Sequence, residues 1–302
     1  MNFLTNIKSN VNQKYKYLKY KKKYNLLKNQ YNLLKNQYGS GFIDVTRIDD
    51  YILIGSGYNV KVYIDKKDPR FVYKIYKYTD ETEKLAETQF EIQKYIQENL
   101  DYKDLKKIVI PKLYKYSFDP TENEIYLKFD RIFNINDIDP DKPEQMINII
   151  LSNNITEQSS VAGRGIVKNL NYVEEKIGVY QTRQYLCELG QLFARLNYEL
   201  FIQLDDIEIV FGKSKIQSLY KLFVIDFDRC SIFNIKNPEI KKKIFDGTYA
   251  KLGLLLDLRN YIEYDKLSEF NKINFKLGYV SEASKYGVSN ENAIEVLNNL
   301  RK

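Results

Sequence analysis

Three short β-prone runs, residues 51–54, 60–64 and 71–76, follow one another with only turn-sized gaps between them. Gaps that short join antiparallel neighbours, so this part of the chain reads as a three-strand meander. Gly55-Ser56-Gly57 fills the first gap, a polar turn at 65–70 fills the second, and Lys74 lies inside the third run. A glycine pair between strands lets the backbone approach phosphate oxygens with no Cβ in the way. A lysine inside the third strand reaches over the sheet to the same oxygens. Either feature alone has a plainer explanation, a hairpin turn or a solubilising edge lysine. The combination marks Gly55, Ser56, Gly57 and Lys74 as a candidate phosphate site.

A helix follows, with Asp80 as its expected cap and Glu83 three residues on. Leu85, Ile92, Ile96 and Leu100 share one face at helical spacing. Glu87 and Glu91 share another, and Glu91, beside the apolar stripe, is the expected carboxylate partner of Lys74. Two further strand-like runs, 107–110 and 124–129, complete a first lobe of five strands and one helix over 42–133.

The rest, 134–302, is expected to be a mainly helical second lobe. It starts with a linker at 134–143, a helix at 144–151 and a flexible or inserted stretch at 152–165. A good helix spans 179–200, with Leu186, Leu189, Phe193, Leu196 and Leu200 on its apolar face and Gly190 permitting close packing. An acidic segment at 201–212 follows, and then an apolar run, 220–225, that ends in Asp226, with Asp228 two residues on. An acid at the exit of a buried strand is costly unless a cation meets it, and Mg²⁺ is the usual one. Further helices are expected at 250–261 and 290–300, with no legible chemistry.

Composition narrows the chemistry. The chain has no histidine and two cysteines. That removes Ser-His-Asp and Cys-His nucleophile systems, His-ligated metals and a four-Cys zinc site. A general base must therefore be a carboxylate, lysine or tyrosine. Two cysteines build no disulfide framework, and no apolar stretch reaches the roughly 18 residues of a membrane span. The expectation is a cytoplasmic protein without a membrane partner. At 44% hydrophobic and 29% charged residues it reads as globular rather than disordered.

The net charge of +7 is carried by one end. Nine lysines and no Asp, Glu or Arg fall within residues 1–43, which leaves −2 for the remainder. The same stretch repeats YNLLKNQ at 24–30 and 31–37. Tyr17, Tyr24, Tyr31 and Tyr38 recur every seven residues, with Tyr20, Leu27 and Leu34 as a second seam. This is a short coiled-coil-like pattern, ended by Gly39-Ser40-Gly41. The expected domain at 1–41 is thus a basic helical tail. Through residues 14–38 it would self-associate or dock on an acidic partner such as nucleic acid, unless it is a solvated helix that does neither.

The ordered series of glycine hairpin, strand lysine, helix glutamate, acidic loop after a long helix and strand-end Asp-Phe resembles the protein-kinase-like superfamily. ARLNYELFIQLDDIEIVFG followed by KLFVIDFDRC looks closer still to an uncharacterised kinase-like family of fungal proteins and a vertebrate zinc-finger protein. IGSGYNVKVY and YLKFDRI are similar to its loop and hinge segments, and the tail resembles leaders of giant DNA virus proteins. The resemblance implies an α+β two-lobe fold that binds ATP and Mg²⁺. Gly55, Ser56, Gly57, Lys74 and Glu91 would serve the nucleotide, and Asp226, Glu208 and Asp228 the metal. Phosphate would pass to a protein or small-molecule hydroxyl oriented by Asp206 or Asp205; a virus-derived chain would work in host cytoplasm or virion. Three departures stand against this. Val60 replaces the third glycine, Asp228 replaces the glycine after Asp-Phe, and Gln203 occupies the proton acceptor's position if Glu208 occupies the metal-binding Asn's. Those departures keep a second reading open, an inactive pseudokinase that scaffolds through its tail.

Overall fold

The computed structural model describes residues 50–57, 59–101, 103–134, 146–153, 166–216, 218–257 and 264–300. The expected tail at 1–41, most of the linker and most of the insertion lie outside them.

The fold is α+β. Strands β1 (Tyr51–Gly57), β2 (Val60–Asp65) and β3 (Phe71–Lys77) form the antiparallel meander. Helix α1 (Asp80–Asn99) comes next. Its cap is Thr79 rather than Asp80: the Thr79 hydroxyl accepts from the Thr82 amide, and the Thr82 hydroxyl accepts from the Thr79 amide. Asp80 instead sits in the first turn, where a carboxylate complements the helix dipole.

Strands β4 (Ile108–Val109), β5 (Leu113–Asp119) and β6 (Glu124–Asp130) follow. The first sheet runs β1-β2-β3-β6-β5, so its fifth member is Leu113–Asp119 and not the 107–110 run. The short Ile-Val pair is claimed elsewhere, by parallel pairing with a later strand. Between this sheet and α1 lies a small core of Tyr76, Ala86, Leu113, Ile125, Leu127 and Phe129.

The remaining elements, in chain order, are β7 (Ile147–Ile150), β8 (Ile166–Asn169), α2 (Leu170–Ile177), α3 (Val179–Tyr198), β9 (Ile202–Asp205), β10 (Glu208–Lys213), β11 (Tyr220–Ile225) and β12 (Ser231–Ile232). After them come α4 (Pro238–Phe245), α5 (Thr248–Lys251), β13 (Leu256–Asp257), α6 (Glu269–Lys285) and α7 (Asn290–Asn299). A second sheet runs β4-β11-β10-β7-β8 and a third β12-β9-β13. Residues 147–150, expected as helix, are therefore a strand. Three isoleucines in that run suit a pleated surface, and β10 offers a ladder partner. The helix expected over 250–261 ends at Lys251, because Gly253 takes a left-handed φ of 67° and β13 follows.

The larger core is organised by α3 against α6. Gly190 and Gly278 face each other's helix backbones; a Cβ on Gly190 would stand 2.8 Å from the Tyr279 amide nitrogen. Phe193 meets Phe275 edge-on at 6.0 Å, and buried Arg195 bonds Glu282 at 2.8 Å. Ile202, Leu204, Ile209, Phe211, Leu222 and Val224 of β9, β10 and β11 join the same core, and the acids of the site lie at or just past the ends of those strands. Among the described residues no helix is long and apolar enough to cross a membrane.

Candidate functional site

Lys74 lies on the central strand of the first sheet, between Val62 of β2 and Leu127 of β6. Alternation puts it on the same face as Tyr76, the face that looks toward α1. Cross-strand register extends both rows. Gly55 opposes Val62, which opposes Lys74; Gly57 opposes Val60, which opposes Tyr76. Both glycines thus fall on the lysine's face and leave it without side chains beyond the two valines. Ser56 points the other way and is exposed. The three residues end β1 itself rather than forming a separate loop.

The lysine's surroundings are specific. Its Nζ donates to Asp226 Oδ1 at 2.5 Å and to Gln89 Oε1 at 3.0 Å, and lies 3.9 Å from Asp228 Oδ2. The Tyr76 hydroxyl donates to the same Gln89 oxygen at 3.0 Å, and the ammonium sits 5.2 Å from the Tyr76 ring centre. Only 15% of the lysine side chain is exposed. Burial opposes its charge, but Asp226, the Tyr76 ring with its hydroxyl, and Asp228 outweigh burial and hold the ammonium well above its ordinary value. Burial also lifts the Tyr76 hydroxyl, against the pull of Lys74.

Helix α1 answers Lys74 with an amide, not the expected carboxylate. Glu91 is exposed, whereas Gln89 is buried. Residues two positions apart on an α-helix point about 200° apart, so a helix that turns Gln89 inward turns Glu91 outward. A signal for this is present in the sequence. Thr82, Ala86, Gln89 and Gln93 are spaced as one face, and polar residues on a face shared with alanine and isoleucine are the ones that meet partners.

The acids arrive from the other core. Asp226 follows β11, whose Leu222, Phe223 and Val224 are buried, and Phe227 is buried just after it. Asp226 itself takes a left-handed φ of 68°. That turn takes its carboxylate out of the ladder and up to a lysine 152 residues earlier. Asp228 is nearly enclosed, and burial, then the neighbouring Asp226, push its carboxyl up to about 6 against the pull of Lys74 and Arg229. Asp206 stands near enough to add to that rise. It too is left-handed, at φ 51°, and its carboxylate meets Arg229 at 3.2 Å. Asp205 ends β9, paired with Asp257 of β13, and its carbonyl accepts from the Cys230 thiol at 3.7 Å. Gln203 lies in the same short strand opposite Ser231, whose hydroxyl is 3.2 Å from the Gln203 side-chain oxygen.

Glu208 opens β10 opposite Ile225, the residue before Asp226. Among the described residues no group of three or more acidic, cysteine or histidine side chains is placed to hold a metal ion. Of the expected set of Asp226, Glu208 and Asp228, the two that meet at Lys74 are Asp226 and Asp228. Two carboxylates still suit Mg²⁺, which takes one or two from protein and completes its shell with water and substrate phosphate. No protein-family model and no curated protein sequence matches this chain.

Proposed function

We propose that the chain is a protein-kinase-like nucleotide-binding protein that holds a nucleoside triphosphate, ATP by the resemblance of its motifs, together with Mg²⁺. One observation carries the reading. A buried lysine on a central strand and two carboxylates at the exit of a distant buried strand meet at one point, 2.5 and 3.9 Å apart. Lys74 would bind phosphate oxygens, Asp226 and Asp228 the cation, and the bare rows at Gly55 and Gly57 would admit the phosphates. The cation would neutralise charge on the transferring phosphoryl group.

A second reading, nucleotide binding without transfer, is favoured by the acceptor side. Gln203 cannot take a proton, and Asp206, one of the two carboxylates expected to orient a hydroxyl, is engaged by Arg229. Transfer to a protein or small-molecule hydroxyl through Asp206 requires that ion pair to open.

The test is thermal stability against ATP, with and without Mg²⁺, for the wild type, Lys74→Ala and Asp226→Ala. A bound nucleotide adds stability by mass action, about 2.7 kcal/mol at a hundredfold excess over Kd. The wild type should shift and both variants should not. No wild-type shift removes both readings; a shift without turnover on broad substrate panels selects the second.

A further inference from the structure

We propose that Gln89, a neutral residue of α1 that hydrogen-bonds the lysine, makes nucleotide and divalent cation enter the site only together. The inference rests on the nucleotide reading above and concerns how that site is opened.

The balance of charge at Lys74 decides this. Among the described residues, the ion pairs of Lys74 are with Asp226 at 2.5 Å and Asp228 at 3.9 Å. From α1 it receives a single amide oxygen, which it shares with the Tyr76 hydroxyl. An amide satisfies a hydrogen bond but neutralises nothing, so Asp226 is the counter-ion of Lys74. Both side chains are largely withdrawn from water, with 15% and 29% exposed. Separating them is unfavourable unless each finds a new opposite charge.

Phosphate alone takes Lys74 and leaves two carboxylates facing the polyphosphate. A cation alone takes Asp226 and Asp228, the two ion-pair partners of Lys74, and leaves the ammonium beside the metal without them. Only the two together replace both halves of the pair. Gln89 is a positioning residue here, since it acts through Lys74. A glutamate in its place would give the ammonium a second counter-ion and release Asp226.

The experiment titrates the full chain with Mn²⁺ alone, followed by the spin resonance of the free ion, and with ATP in chelator or in Mg²⁺, followed by thermal stability. In the wild type, ATP–Mg²⁺ should stabilise while either alone does little, a coupling of about tenfold or more. Gln89→Glu should raise the affinity for Mn²⁺ alone by about tenfold, within the usual range of coupling between sites. Should Gln89→Glu fail to fold, Lys74→Met carries the test, because it too frees Asp226 and should tighten Mn²⁺ binding. Equal stabilisation of the wild type by ATP with and without metal overturns the inference and leaves the nucleotide reading standing. So does unchanged Mn²⁺ affinity in the variants. If ATP–Mg²⁺ shifts neither the wild type nor Gln89→Glu, the nucleotide reading itself falls and this inference with it.

Discussion

Replacing Asp228 by Asn should stabilise the ligand-free protein, by an amount that depends on pH. The Asp228 carboxyl is raised from an ordinary value near 3.8 to about 6, by burial first and then by Asp226. A group whose folded value exceeds its unfolded value binds more protons in the folded state between the two. Stability therefore falls as pH rises from about 4 to about 6, and the loss is complete above that window. A rise of that size corresponds to about 3 kcal/mol, a ceiling for what ionised Asp228 costs at neutral pH. Asn keeps the shape and removes the titration. The advantage of Asp228→Asn over the wild type should thus grow by roughly 1.4 kcal/mol between pH 5 and pH 7.5. Urea denaturation at both values measures it, with tyrosine fluorescence as the probe because the chain has 27 Tyr and no Trp. An advantage that is the same at both pH values, or a less stable Asp228→Asn at pH 7.5, would refute the reasoning. The same variant should lose nucleotide-dependent stabilisation, since it gives up one of two carboxylates available to the cation.

Other perturbations test the scaffold. Gly278→Ala drives a methyl into the Cys187 carbonyl of the facing helix, so it should cost about 3 kcal/mol or more and shift the denaturation midpoint accordingly. Arg195→Leu leaves buried Glu282, among the described residues, with the exposed Lys285 as its ion-pair partner and should cost about 3–5 kcal/mol. Adding Glu282→Leu to it should recover most of that loss in the same assay. Thr79→Ala removes the cap of α1 and should cost about 1 kcal/mol, against roughly 0.5 or less for Asp80→Ala.

The parts legible in the sequence are those with local signals. The meander, Lys74 inside its third strand and the apolar run ending in Asp226 each declare themselves within a few residues, and Gly190 announces a close helix contact that Gly278 completes. What escapes is decided at long range. The Ile-Val pair of β4 belongs to a sheet built around β10 and β11, and β7 is a strand because β10 presents a partner. Strand β5 mixes aromatic residues with Lys115, Ser117 and Asp119 along a sheet edge and buries fully only Leu113, so its hydrophobic signal is weak. The choice of Glu91, between Glu87 and Glu91, as the lysine's partner fails for a different reason. It adjoins the apolar stripe in sequence, and a charge is the natural match for a lysine. The rotation of α1 is set instead by Ala86, Ile92 and Ile96, all buried, and that rotation turns the neutral residue inward.

Several unfavourable features of this molecule meet at the Lys74 site, and together they favour the functional reading proposed above over a merely structural ion pair. Asp226 and Asp206 both hold left-handed backbone, a conformation glycine takes without strain and other residues take at a cost of order 1–3 kcal/mol. Asp228 sits where burial resists its charge. A fold needing only a tie between its two cores would do better with apolar side chains, as the α3–α6 contact does around Phe193 and Phe275. Three acids are held against backbone strain, desolvation and one another, and Lys74 with Asp226 and Asp228, and Arg229 with Asp206, offset only part of that cost. An added divalent cation would relieve this arrangement, and a polyphosphate would then find its own counter-charge in the lysine the cation has released.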